Sequence, residues 1–187
     1  MSLLITRHGQ TDWNLNSKVQ GKSNIELNSN GIEQAKELAK RLANESIDLI
    51  ISSPLARAKQ TAEIINIKRN IPIIYDDSIS EIDYGEFEGI DRSNFNLSEF
   101  WNYNCNNKYQ SAENIKDFFK RVYEFLDRIS IEHMGKNVLL VAHGGISIAV
   151  NCYFNGIPNN GDVLRMGLHN CEYAKYEFQR KIDCIER

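Results

Sequence analysis

Cysteine is sparse and scattered: Cys105, Cys152, Cys171 and Cys184 stand far apart in 187 residues, with no C-x-x-C pair. That spacing argues against both a disulfide framework and a zinc site, and reads as reduced thiols of a cytoplasmic protein. Long hydrophobic runs are missing. The longest apolar stretches, around 138–142 and 146–154, fall well short of the roughly eighteen residues of a membrane span. The amino terminus has no basic region leading into a long apolar segment, so no secretory signal is expected. Nor is there an excess of positive charge. Lys and Arg number 22 against 25 Asp and Glu, a net charge of -3, which provides no general basic face for nucleic acid. A small anion can still bind where a few cations gather at one point. No internal repeat, low-complexity segment or linker interrupts the chain.

The remaining composition, 42% hydrophobic and 25% charged, is that of a soluble chain with one core. A single domain over 1–187 is the expectation. Residues 2–6 read as a buried strand, followed by a long polar segment over 7–28. A helix capped near Asn28 or Ser29 should bury Ile32, Ala35, Ala39 and Leu42. Asp48 to Ser52 reads as a second strand, and a helix is expected to start at Pro54, where a missing N–H costs nothing. That helix carries Arg57 one turn in and buries Leu55, Ala58, Ala62 and Ile65. A strand over 71–75 follows. Residues 81–107 read as loop with a short helix near Leu97 to Tyr103.

The clearest periodicity belongs to Ile115, Phe118, Phe119, Val122, Phe125, Leu126 and Ile129, one face of a long helix ending near His133. Asn137 to Ala142 is uniformly apolar, as a central strand covered on both faces would be. Gly144-Gly145 turns it into a helix over 146–154, and 171–178 reads as a last strand. Strands alternating with helices indicate a three-layer α/β/α sandwich with a mostly parallel central sheet.

Open α/β sheets bind ligands at the carboxyl ends of their strands. Three such ends carry chemistry: Arg7-His8 after the first strand, Ser52 to Arg57 after the second, and His143-Gly144-Gly145 after the fourth. If these strands run parallel, two arginines and two histidines meet at one edge. Arg7 and Arg57 can each clamp phosphate oxygens with forked N–H donors, the helix start at Gly144 offers backbone N–H groups to an anion, and Asn14 can reach in as a neutral donor.

Taken in order, Arg7-His8-Gly9-Gln10-Thr11 with Trp13-Asn14, Gln20-Gly21, Leu27 with Gly31 and Gln34-Ala35, Ser52-Ser53-Pro54-Leu55 with Arg57-Ala58 and Thr61-Ala62, Glu81-Ile82-Asp83-Tyr84-Gly85 with Glu88-Gly89, and Val141 to Gly145 resemble the histidine phosphatase superfamily, in the branch that includes cofactor-dependent phosphoglycerate mutases. The resemblance implies that His8 becomes a phosphohistidine and that Arg7, Arg57 and His143 surround the transferred phosphoryl group. It makes Glu81 the proton donor to the leaving oxygen and Asn14 a further phosphate contact. Gln20, Gly21, Tyr84 and Gly144 are the other expected pocket residues, and residues 82–110 are expected to form a small cap. It implies no metal and no cofactor. His143 is expected to act protonated, and Glu81 to be kept protonated by nearby carboxylates or partial burial.

The expected activity is hydrolysis of a small phosphorylated metabolite. The alternatives are a phosphoglycerate mutase and a non-catalytic phosphate-binding module. A mutase needs further cations near Glu81, whereas 81–107 offers Arg92 alone against six carboxylates. A module without turnover would be expected to lack a histidine, an arginine or the glutamate, and none is missing. His133 and His169 carry no expected role. Glu113, Asp117 and Arg121 read as a solvated helix face, and the departure from the family pattern at Ser111-Ala112-Glu113-Asn114 puts a site role for Glu113 in doubt.

Overall fold

The computed structural model describes residues 1–106 and 108–178. Cys184 and Asn107 lie outside the described residues. Among the described residues five strands form one sheet: β1 (Ser2–Arg7), β2 (Leu49–Ser52), β3 (Ile73–Tyr75), β4 (Asn137–Ala142) and β5 (Tyr173–Glu177), in the order β3-β2-β4-β1-β5. All pairings are parallel except β1 with β5 at one edge. The helices are α1 (Asp12–Leu15), α2 (Ser29–Arg41), α3 (Ala56–Asn66), α4 (Leu97–Phe100), α5 (Ile115–Glu132) and α6 (Gly144–Asn155).

The three layers follow from the alternation of side chains along each strand. Leu4, Ile50, Leu139 and Val141 face α2 and α3, where Ala35, Leu38, Leu42, Ala58, Ala62 and Ile65 complete one core. Their neighbours Leu3, Ile5, Leu49, Ile51, Val138, Leu140 and Ala142 face the other way, against α5 and α6. Both sides of the central strands are covered, which is why they read as unbroken apolar runs. The fold is thus an α/β sandwich with a mixed, mostly parallel central sheet.

The buried face of α5 is the one its periodicity indicates, from Ile115 to Ile129. Elsewhere local contacts moved the boundaries. The long segment 7–28 contains α1, a single turn held by a reciprocal cap between Thr11 and Asn14, too short to show a period. On α2 the buried face is Gly31, Ala35 and Leu38, continued by Leu42, while Ile32 is 38% exposed. The face is turned because Gly31 lies directly under Gln10, where an added Cβ would come within 2.0 Å of the Gln10 carbonyl oxygen. Pro54 does not start α3, which begins two residues later because Asn24 Oδ1 accepts from the Ala56 N–H and caps it from another loop. The first turn of α6 begins at Gly144 rather than Ile146. The edge strand β3 shortens to three residues, with Ile74 and Tyr75 exposed.

Candidate active site

Sheet register alone brings the two histidines together. Arg7 is paired with Ala142 across β1 and β4, so His8 and His143 leave adjacent parallel strands at the same height. Their ring centroids lie 5.2 Å apart at 60°. Ser52 is paired with Val141 across β2 and β4, which puts Ser53 beside them; His143 Nε2 lies 2.8 Å from Ser53 Oγ.

Arg57, in the first turn of α3, reaches the same point. Its Nε–H donates to His8 Nε2 at 3.1 Å, and its terminal nitrogens donate to the carbonyls of Ser23 and Gly21 at 2.7 Å each. Those carbonyls are presented by a loop folded on Glu88, whose carboxylate accepts from the backbone of Lys22, Ser23 and Tyr84 and from the Ser23 hydroxyl. Gly21 has φ +53° and packs on Glu88, where a Cβ would come within 1.9 Å of a carboxylate oxygen, so a side chain there would be strained and would push Glu88 aside. Arg7 is held from another side, its Nη1 donating to the Leu168 carbonyl at 3.1 Å.

Glu81 closes the group. One carboxylate oxygen accepts from the Gly145 N–H at the start of α6, and the other from the Ile82 N–H, both at 3.1 Å. Gly145 must lack a side chain for this approach, since a Cβ there would sit 2.4 Å from Glu81 Oε1 and 2.7 Å from the Trp101 ring.

Burial sets the protonation states. His8, Arg57, Glu81 and His143 are 2%, 1%, 9% and 0% exposed, so each charged form loses most of its hydration. Burial pushes His8 well below its ordinary range, helped by the charges of Arg57 and Arg7. Its Nδ1–H donates to the Gly9 carbonyl at 2.7 Å, which leaves the lone pair on Nε2. His143 is likewise pushed well down, by burial and then by Arg57, His8 and Arg7. Without a bound anion these cations and the burial disfavour the protonated ring, and its buried Nδ1 has no partner among the described residues. Glu81 is pushed up by burial, partly offset by the Gly145 N–H, Arg57 and the Ile82 N–H. Among the described residues no neighbouring carboxylate contributes to that rise. Arg57 is lowered by burial to about 10 and stays cationic at neutral pH.

These groups line a cavity of about 440 Å³, together with Gln20, Gly21, Tyr84 and Gly144. Gln20 accepts from the Thr11 hydroxyl. The Tyr84 hydroxyl accepts from the Trp101 indole N–H within a cluster of aromatic rings from the 82–110 segment. Asn14 stands outside the lining; its Oδ1 accepts from the Thr11 N–H and hydroxyl. It is linked to the site through Thr11, which reaches Gln20, and through Asn170, which donates to the His8 carbonyl and to Asn14 Oδ1. The segment 164–169 supplies one wall, with Leu164, Arg165 and His169. Arg165 was missed because an isolated arginine in an aperiodic stretch carries no signal.

Glu113 and Arg121 do not form a solvated face. Arg121 makes a forked pair with Glu113 and donates to the carbonyls of Ser78 and Ser80, just before Glu81.

Two forked cations, two neutral imidazoles and a raised carboxyl around one cavity can hold a tetrahedral oxyanion and exchange protons with it. The fold and site together define an α/β protein with an arginine- and histidine-lined pocket at the strand carboxyl ends. The family model described as the histidine phosphatase superfamily (branch 1) matches residues 3–184. The chain belongs to that family.

Among its relatives, an uncharacterized phosphatase, PhoE, of Bacillus subtilis (strain 168) is 36% identical over 183 residues, 96% of this chain and 92% of its own. A probable phosphoglycerate mutase, GpmB, of Escherichia coli O1:K1 / APEC is 31% identical over 192 residues, 97% and 87% of the two chains. The solved structure of Bacillus stearothermophilus YhfR superposes with a TM-score of 0.85 at 28% identity, over 96% of this chain and 92% of that one.

Proposed function

We propose that the protein hydrolyses small phosphomonoesters through a phosphohistidine on His8. The observation that carries this reading is the placement of His8 Nε2, with its lone pair available and its ring neutral, against the guanidinium of Arg57 and beside His143.

In the first step the Nε2 lone pair attacks phosphorus in line, and the bond from phosphorus to the ester oxygen breaks. Arg57 turns its Nε–H from the imidazole to a phosphoryl oxygen, and Arg7 offers its Nε–H, which has no partner among the described residues. The departing alkoxide takes the proton of the Glu81 carboxyl. His143 presents Nδ1 to the equatorial oxygens, and a phosphoryl dianion offsets the nearby cations that otherwise keep its ring neutral. In the second step Glu81, now a carboxylate, takes a proton from water. The water oxygen attacks phosphorus, the bond to Nε2 breaks, and inorganic phosphate is released. Fixed donors in a buried site supply the stabilisation of developing charge.

The test is product analysis with 3-phosphoglycerate and an aryl phosphate. Release of inorganic phosphate from both, with an acid-labile, base-stable phosphate trapped on His8, is the expected result. Isomerisation of 3-phosphoglycerate without phosphate release would assign a mutase instead. That second reading draws on one observation, the approach of Arg165 to the same cavity as Arg92.

A further inference from the structure

The ring proton of His8 is placed by the backbone, since the Gly9 carbonyl at 2.7 Å can only accept. His143 has no such partner. Its Nε2 lies 2.8 Å from Ser53 Oγ, and a hydroxyl can either donate to that nitrogen or accept from it. The other contacts of Ser53 decide between the two. Its backbone is fixed beside β4, where the Ser53 N–H donates to the Val141 carbonyl at 3.0 Å and the Ser53 carbonyl accepts from the Ser52 hydroxyl at 2.9 Å. Its Oγ already accepts from the Leu55 N–H at 3.3 Å, in the turn that leads into α3. Both Ser53 and His143 are 0% exposed, and among the described residues the hydroxyl has no acceptor other than His143 Nε2. Were the ring proton on Nε2, two N–H groups would point at one oxygen and the buried hydroxyl proton would be left without an acceptor. With the ring proton on Nδ1, every proton at Ser53 Oγ is satisfied.

We propose that Ser53 is a positioning residue that fixes the tautomer of His143: its hydroxyl donates to Nε2 and so keeps the ring proton on Nδ1, the nitrogen that has no partner among the described residues. What Nδ1 then meets rests on the phosphohistidine reading above; the tautomer itself does not. The two rings carry their proton on the same nitrogen and work through opposite ones. His8 offers the lone pair of Nε2 to phosphorus, and His143 offers its Nδ1–H to a phosphoryl oxygen. The other tautomer would set a lone pair against that oxygen, which repels it. With Ser53 in place the ring presents a donor whether or not the anion draws a second proton onto it, so this donor is preorganised before substrate arrives.

The experiment is nitrogen-15 NMR of the full chain labelled at its four histidines, without substrate at about pH 8, above the ordinary histidine range. Couplings between the ring nitrogens and the carbon-bound ring protons distinguish the tautomers, and the His143 signals are those missing in His143→Gln. The expected spectrum shows His143 with a proton-bearing Nδ1 and a bare Nε2. In Ser53→Ala the two nitrogens should average towards a mixture, with vanadate affinity lowered about tenfold. Ser53→Cys, a weaker donor, should show a smaller shift of the same sign and serves where the alanine variant does not fold. A proton on Nε2 in the unaltered protein, a doubly protonated ring at this pH, or an Nδ1–H signature that neither variant moves overturns the proposal. The hydrolase reading fails separately, if the unaltered protein releases no phosphate from p-nitrophenyl phosphate, and the tautomer is still decided by the same spectra.

Discussion

Arg121 grips Glu113 across two turns of α5, with Nε and Nη2 at 3.0 and 2.9 Å from its two carboxylate oxygens. The pair ties down both flanks of Glu81. Arg121 Nη1 donates to the carbonyls of Ser78 and Ser80 on one side, and on the other Glu113 accepts from the Asp83 N–H while its own N–H donates to the Asp83 carbonyl. Both side chains are largely buried, at 25% and 18% exposure, so the pair is less screened than a surface ion pair.

Arg121 is therefore a positioning residue for Glu81. Arg121→Gln should cost about 1–3 kcal/mol of stability and lower kcat about tenfold. The variant admits water to Glu81, which relieves the burial that raises its pKa. The limb of the kcat/KM profile on which Glu81 must stay protonated then moves to lower pH. A loss of melting temperature with an unmoved pH profile would reduce Arg121 to a structural role.

Removing the proposed nucleophile is the direct test of the chemistry. His8→Asn should lower turnover by more than about a thousandfold and abolish the trapped acid-labile phosphate, with circular dichroism unchanged. Undiminished turnover would end the phosphohistidine mechanism.

The two buried histidines make stability depend on pH in a definite direction. Both have pKa values pushed well below the ordinary range in the folded protein, so the unfolded chain binds protons first as pH falls. Their contribution is fully present above the unfolded pKa of about 6.5 and is lost as pH drops below it, by up to about 2.7 kcal/mol per pH unit for two groups. Glu81 acts in the opposite sense, favouring the fold at low pH and losing that contribution as pH rises through its raised pKa. Thermal melts between pH 7.5 and 5 should show the decline, and a His8→Ala, His143→Ala variant should flatten it. A slope unchanged in the variant would place the titrating groups elsewhere.

Gly145 is a point of close approach with little slack. Gly145→Ala brings a methyl group against Glu81 and Trp101, and overpacking of this kind costs about 1–3 kcal/mol. The expected outcome is a fall in kcat of tenfold or more, since the carboxyl must leave the α6 N–H that orients it. Retained activity with the same pH profile would show that Glu81 can shift without loss.

Glu88 reaches the chemistry through a loop. It accepts from the backbone of Lys22 and Ser23, and the carbonyls of Gly21 and Ser23 in turn hold Arg57. Glu88→Ala should weaken inhibition by vanadate, an oxyanion probe, about tenfold and raise KM more than it lowers kcat. An unaltered vanadate affinity would show that α3 alone orients Arg57.

Strands β1, β2 and β4 and helix α5 were legible in the chain because their signals are local. An unbroken apolar run marks a strand covered on both faces, and a 3.6-residue period marks the single buried stripe of a helix. The pieces of the site were legible as well, because Arg7-His8, Arg57 and His143 each follow a strand at a place where such sheets bind ligands. The turned face of α2, the late start of α3 and the single turn of α1 were not, since each depends on an atom far along the chain or on a cap: the Gln10 carbonyl, the Asn24 side chain, the reciprocal bonds of Thr11 and Asn14.

By itself, then, the sequence determined which residues could bear charge or attack phosphorus, and the alternation that makes a layered sheet. Only the tertiary structure decided how those groups are tuned. It decided that burial among cations pushes His143 down, that burial raises Glu81, that Glu113 and Arg121 tie down the flanks of Glu81, and that Arg165 joins Arg92 at the mouth. The physical reason is common to all four. Protonation, ion pairing and cavity lining depend on distance and dehydration between residues remote in the chain, and strand pairing brought those residues together.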